Sequence, residues 1–276
     1  MGVTIVIFTI LFFGALSLQL LTPRTETGYI ARSRDRFDQG DLDGAIANFT
    51  KAIELQPFHA RAFLIRSQSQ HDNRDLDEAI ADCTKAIELQ PRFAAAYNNC
   101  GFARRVKGDL DGAIVDCNKI IELDPQCAFA YNNRGQAQQG NGNLQAAIAD
   151  DNNAIEFDPH FPFAFMSRGT AKYLGDDLAG AIADYYKTIE LEPGQASAYE
   201  NLASLLATSP DPQFRDAMKA IEYARRACEL TNWQDPGRLE TLAAAHAESG
   251  AFEEAMKWRN KALGFSDNAA ATRDAR

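Results

Sequence analysis

Pro57, Pro91, Pro125, Pro159 and Pro193 stand 34 residues apart, and the six residues before each one repeat with it: KAIELQ twice, then KIIELD, NAIEFD and KTIELE. A fixed period of this length leaves few architectures open. Each unit is one supersecondary element that cannot bury its apolar face alone, so it must stack on its neighbours. The aromatic column Tyr29, Phe63, Tyr97, Tyr131, Phe165 and Tyr199 keeps the same step, as do the Ala-Ile pairs that begin at Ala45, Ala79, Ala113, Ala147 and Ala181. Aromatic, small and closing-proline positions at this spacing predict stacked helical hairpins.

The third unit shows why each segment folds as it does. Tyr97, Cys100, Gly101 and Arg104 fall at i, i+3, i+4 and i+7, which is one face of a helix. Gly108 is placed to take the left-handed conformation that stops this helix, and Asp109 to accept a hydrogen bond as the N-cap of the next. Leu110, Ala113, Ile114, Cys117 and Ile121 then form an inner stripe, which Pro125 ends because it has no amide hydrogen. The small column Gly101, Gly135, Gly169 and Ala203 allows close approach of the two helices in a hairpin.

An aromatic, a small residue four later, an Ala-rich second helix and a closing Pro, as in Tyr131, Gly135, Ala147, Ala154 and Pro159, resemble the tetratricopeptide repeat family. The resemblance covers about residues 26 to 263, or roughly seven repeats. It implies an all-α fold: a right-handed α-solenoid of about seven helical hairpins, here preceded by one apolar helix. Three segments result: 1–25 as membrane anchor or signal peptide, 26–263 as the repeat solenoid and 264–276 as a polar tail. There are departures from the pattern. Arg32 and Ser33 stand where Leu and Gly are usual, which predicts a distorted first helix. SPDPQFRD at Ser209 to Asp216 is an insertion with the prolines of a loop, and the seventh unit has Leu239 in place of the aromatic. In the tail, Ser266 or Asp267 would start any further short helix.

From Met1 to Thr22 there is no charged side chain, and Val3 to Leu21 would span about 29 Å as a helix, close to a bilayer core. This segment reads as membrane-targeting. Ala15-Leu16-Ser17 after Gly14 resembles a signal-peptidase site, yet no Lys or Arg precedes the apolar run, so the reading favours a retained anchor over export after cleavage. Arg24, Arg32, Arg34 and Arg36 follow the run and, by the positive-inside rule, favour the cytoplasmic side for a retained helix. Cleavage would place the repeats outside, and the side of the membrane stays open. N-myristoylation is not expected, since Val6 stands where that pattern wants Ser or Thr.

The balance of 28 Lys and Arg against 38 Asp and Glu is net acidic, which disfavours a nucleic-acid partner because phosphate contacts draw affinity from cations. The histidines at 59, 71, 160 and 246 show no catalytic or metal-ligand spacing, and there is neither a phosphate loop nor a GxSxG. No catalytic residue, metal or cofactor is expected. The aspartates at 41, 43, 75, 77, 109 and 111 sit where each second helix starts, and there they complement the helix dipole. Five cysteines without CxxC pairs imply no disulfide framework. Cys83 and Cys117 share one register slot and read as small core residues.

In the tetratricopeptide family the first helices of successive repeats line a concave groove that holds an extended peptide or a partner helix. The resemblance places Asn98, Asn99, Phe102, Arg105, Phe129, Asn132, Asn133, Gln136, Phe163, Met166, Thr170, Tyr173 and Asn201 in that groove. Asn99, Asn133 and Asn201 follow the core aromatics by two residues, about 200° around a helix, so an asparagine ladder could track a peptide backbone. Leu64, Ile65 and Ala95 occupy positions of the family's carboxylate clamp, so chaperone C-termini are not expected. Arg66, Arg134 and Arg168 form one column and Asp82, Asp150 and Asp184 another 16 residues later, which predicts salt bridges within hairpins. The functional reading is a membrane-tethered adaptor that binds a protein or peptide partner, with a self-associating structural scaffold as the alternative and an enzyme last.

Overall fold

The computed structural model describes residues 25–274. Among them are fourteen α-helices, one short 3-10 turn and no strand. First helices are α1 (Glu26–Asp38), α3 (Ala60–Asp72), α5 (Ala94–Lys107), α7 (Ala128–Gly140), α9 (Pro162–Leu174), α11 (Ala196–Thr208) and α13 (Pro236–Glu248). They alternate with second helices α2 (Leu42–Leu55), α4 (Leu76–Leu89), α6 (Leu110–Leu123), α8 (Leu144–Phe157), α10 (Leu178–Leu191), α12 (Ala217–Leu230) and α14 (Phe252–Asp274). The arrangement is all-helical and repeated, as the 34-residue period predicts. The chain divides between Ala137 and Gln138 into two compact units, described separately below.

One turn closes each of the first five hairpins. Gly40, Arg74, Gly108, Gly142 and Asp176, each 34 residues after the last, all have positive φ. The next residue's amide reaches back five residues, as from Asp109 to the Arg104 carbonyl (2.9 Å), Asp75 to Gln70 (2.8 Å) and Asp177 to Lys172 (2.9 Å). This is the bonding of a Schellman cap. Asp41, Asp109 and Asp177 then cap the second helix by accepting from the amides of Gly44, Gly112 and Gly180 at 3.0, 3.0 and 2.9 Å.

The cores are built from small residues at the contact between helices. In the first unit Ala45, Phe49, Ala52, Ala79, Ala86 and Ala96 are fully buried. In the second unit Tyr185, Leu202 and Leu205 form a larger cluster with Ala181 and Ala245. Gly169 is a close approach: a Cβ there would meet the Tyr185 ring at 2.9 Å and the Asp184 Cβ at 3.1 Å.

Three local expectations are revised. Helix α1 is regular, because the buried Ser33 hydroxyl donates to the Tyr29 carbonyl at 2.8 Å and so needs no distortion to be satisfied. The inserted loop carries a 3-10 turn, Pro212–Phe214, capped by Asp211. The last helix runs on through Gly264 to Asp274, and no separate helix starts at Ser266 or Asp267. Among the described residues no helix is long and apolar enough to cross a membrane. The apolar segment 3–21 lies outside the described residues.

The arginine column ties three helices together. In the first unit Arg66 on α3 makes a bidentate pair with Asp82 on α4, Nε to Oδ2 at 2.6 Å and Nη2 to Oδ1 at 2.7 Å, while Nη1 donates to Thr50 on α2 at 3.0 Å. Arg134 makes the same reach backward, Nη1 donating to Asn118 on α6 at 2.6 Å. In the second unit Arg168 on α9 pairs with Asp184 on α10 (2.9 and 2.6 Å) and donates to Asn152 on α8 (2.7 Å), and Lys172 joins Asp184 at 2.8 Å. The guanidinium also lies over the aromatic three residues back, at 5.6 Å for Arg66 and 5.4 Å for Arg168. Asp150 is buried in the second unit.

The third repeat has Cys100 in that arginine slot, and here the sequence-based expectation fails. Cys100 on α5 is disulfide-bonded to Cys83 on α4, with Cα atoms 5.6 Å apart, within the range such bridges span. Grouping Cys83 with Cys117 by register hid this pair, because the partner occupies another slot of the next hairpin. A covalent tie between neighbouring hairpins stands where other repeats use an arginine.

Losing that arginine changes its aspartate. Asp116, buried on α6, keeps a single bond from Arg104 Nη1 at 2.6 Å. Burial pushes its carboxyl up from 3.8 to about 6, against the opposing pull of Arg104. A folded-state value raised above the unfolded one means a contribution to stability that is full below about pH 4 and lost as pH rises through about 6. Melting curves between pH 4 and 7 are therefore expected to fall more steeply for the native chain than for Asp116→Asn. Parallel profiles would show that Asp116 does not titrate this way.

Candidate functional site

The face of the first helices that turns away from their hairpin partners carries the candidate groove. In the first unit Phe102 projects from α5 with 41% of its surface exposed, and Phe129 from α7 with 49%. The Phe102 ring has Arg105 against it, the guanidinium carbon 5.1 Å from its centroid, and it meets the imidazole of His71 on α3 at 4.5 Å between centroids. Ser67, Gln68, His71 and Asp72 of α3, Asn98, Asn99 and Phe102 of α5, and Phe129 of α7 enclose a cavity of about 250 Å³. Its size suits one apolar side chain with polar groups around the mouth.

The carboxamides at this face are largely engaged with each other. Asn99 Nδ2 donates to the Leu64 carbonyl of the preceding first helix at 3.4 Å, and Asn133 Nδ2 to Asn98 Oδ1 at 3.2 Å. Gln136 Nε2 donates to Asn132 Oδ1 at 3.0 Å, and Asn132 itself is buried. The Asn99 and Asn133 bonds join successive first helices, so the asparagine column has a structural duty between repeats.

His71 is the site residue that sequence reasoning missed. Its Nδ1 lies 3.1 Å from Asp72 Oδ1, while Nε2 is buried without a hydrogen-bond partner. The signal existed, since His71 precedes Arg105 by one full period and so occupies the same face.

In the second unit Phe163 and Tyr173 are exposed on α9, and Met166 and Thr170 on the same helix are half-buried. Phe163 packs edge-on to Phe161, their centroids 6.0 Å apart. Asn201, half-buried, lies on α11. No cluster of three or more His, Cys, Asp or Glu is arranged to hold a metal ion among the described residues.

This hairpin fold is that of the tetratricopeptide repeat proteins, a class that works as protein–protein interaction adaptors or scaffolds. The sequence profile of the tetratricopeptide repeat matches residues 30–92. In structure the chain is similar to MamA, with 26% identity and a TM-score of 0.55 over 64% of this chain and 96% of that one. A tetratricopeptide repeat protein from Parabacteroides merdae matches over 90% of this chain and 96% of its own, with 17% identity and a TM-score of 0.64. The APC/C hetero-tetramer Cut9–Hcn1 matches over 91% of this chain and 52% of that chain, with 16% identity and a TM-score of 0.69. The last two likenesses are of fold alone. No curated protein matches the sequence.

Proposed function

We propose that this chain is a membrane-tethered adaptor that holds an extended peptide segment of a partner protein along the first-helix face of its repeats. The cavity between Phe102, Phe129 and His71 carries this reading, because two partly exposed rings around a side-chain-sized space supply apolar area for a ligand side chain. Asn98 and Asn99 at its mouth offer carboxamides suited to a peptide backbone. With their amide nitrogens already engaged, Asn99 and Asn133 serve mainly to join repeats, and the rings supply most of the affinity.

The tether is residues 3–21, read as a retained helix. The Cys83–Cys100 bridge favours the oxidising side of the membrane for the repeats. It outweighs the four arginines that follow the apolar run, because cytosolic thiol pools keep such pairs reduced.

Panning a random peptide library against the full chain is expected to enrich peptides with a regularly placed aromatic or aliphatic residue. Phe102→Ala with Phe129→Ala should weaken the selected peptides by about 2 to 3 kcal/mol, as for a central apolar anchor. Asn99→Ala with Asn133→Ala should lower the melting temperature more than the affinity. Unchanged affinity in the phenylalanine pair would remove this cavity from the binding surface.

One observation favours the scaffold reading as a second function. Glu240, Ala243, Ala244 and Ala247 of α13 and Phe252, Ala255, Met256 and Arg259 of α14 line a mostly apolar hollow of about 490 Å³ on the last hairpin. Growth of the scattering mass with concentration would select this reading.

A further inference from the structure

The turn between the first two hairpins differs from its equivalents. Phe58 follows the repeat's closing proline, and the matching positions are Arg92 and Gln126 in the first unit and His160 and Gly194 in the second. Only here does a large apolar ring occupy that place. Phe58 is 85% exposed, more than any other large apolar side chain among the described residues, and Leu55, three residues earlier at the end of α2, is 50% exposed. Leu55 stands where every repeat has Leu or Phe, whereas Phe58 is particular to this turn, and an exposed ring of this kind is disfavoured in water.

The position of this turn gives a reason. His59, next in the chain, bonds through Nδ1 to Glu26 Oε1, the first residue of α1. The start of the repeats and the Phe58 turn are therefore side by side. Between the apolar run ending at Leu21 and Thr25, the N-cap of α1, lie only Thr22, Pro23 and Arg24. That is a reach of about 13 Å from Leu21 to Thr25 at full extension. The polar zone of a bilayer leaflet is about 5 to 8 Å deep on each side of the hydrocarbon core. If residues 3–21 are the tether, the turn has no room to stand far from the lipid headgroups.

We infer that Phe58 and Leu55 form a second, interfacial contact with the phospholipid surface that holds the first hairpin against the bilayer. Aromatic side chains favour the headgroup level, where a ring leaves bulk water while neighbouring polar groups stay hydrated. Arg61, exposed on the first turn of α3, is placed to meet lipid phosphate. The contact sets orientation: a single attachment leaves rotation about it open, whereas two attachment points fix which end of the first unit faces the membrane. This inference rests on the tether proposed above.

The test uses the full chain reconstituted in phosphatidylcholine vesicles, with part of the lipid brominated at shallow acyl positions. Phe58→Trp adds a reporter at the turn, and Val115→Trp adds one at an exposed site on the outer face of α6 (63% exposed). Trp233 and Trp258 give the same background in both. The Phe58→Trp chain is expected to lose most of its added emission in brominated vesicles and to shift to the blue, while the Val115→Trp chain does neither. Sedimentation with the vesicles reports the tether separately. A chain that sediments with lipid while the residue-58 reporter stays unquenched overturns the interfacial contact and leaves the tether standing. A chain that does not sediment overturns both.

Discussion

Arg66→Ala is expected to destabilise the first unit by about 3 to 5 kcal/mol, because it leaves the Asp82 carboxylate buried without a cation. Arg66 and Asp82 have side chains only 16% and 8% exposed, and two short parallel bonds join them. The desolvation of both charges is already incurred on folding. The pair compensates for it only while both members are present. Arg168→Ala in the second unit should cost less, since Lys172 remains on Asp184 at 2.8 Å. The contrast between the two sites separates a stranded charge from a merely missing contact. A double-mutant cycle of Arg66→Ala and Asp82→Ala, followed by chemical denaturation, should give a coupling of at least about 1 kcal/mol. Strictly additive losses would mean that the two side chains act independently. Replacing the pair with Met and Leu is expected to be close to neutral, since it removes the charges together.

The disulfide should show itself first as a thiol count. Denatured without reductant, the chain is expected to titrate three thiols, from Cys117, Cys127 and Cys228, and five after reduction. Cys83 and Cys100 are 17 residues apart, and closing a loop of that length removes unfolded-state entropy worth about 3 kcal/mol. Cys83→Ser should therefore lower stability by about that amount, and the native chain should lose the same on reduction. Five thiols in the unreduced chain would refute the bridge and, with it, the oxidising-side placement of the repeats. Because α4 and α5 are joined here, the loss is expected to fall on the hairpins that flank the Phe102 cavity. Peptide affinity should weaken along with the melting temperature.

The sequence pattern reaches the angular placement of side chains around a helix but not their burial. Phe102, Phe129 and Phe163, which the family resemblance places in a groove, are exposed on their helices. Asn132, placed in the same groove by the resemblance, is instead buried and accepts from Gln136 one turn later. The register gives an angle around one helix, whereas burial depends on how near the next helix stands.

The 34-residue period by itself determined that the described repeats are helical hairpins, where the helices of the regular repeats stop at a glycine or proline, and which faces are apolar. Those properties follow from short-range rules: proline lacks an amide hydrogen, aspartate caps a helix start, and a stripe at 3.6-residue spacing must find cover. The tertiary structure alone decided what meets across hairpins. It bonds Cys83 to Cys100, brings Thr50 of the preceding hairpin to Arg66, and sets His71 against Phe102. It also holds Arg74 and Asp176 at positive φ, at a cost of about 1 kcal/mol each that no local preference would accept, because the packed hairpin requires the same turn there that Gly40 and Gly108 make freely. Local signals act within a turn or two of one helix. Partners on different helices are chosen by the register in which those helices pack.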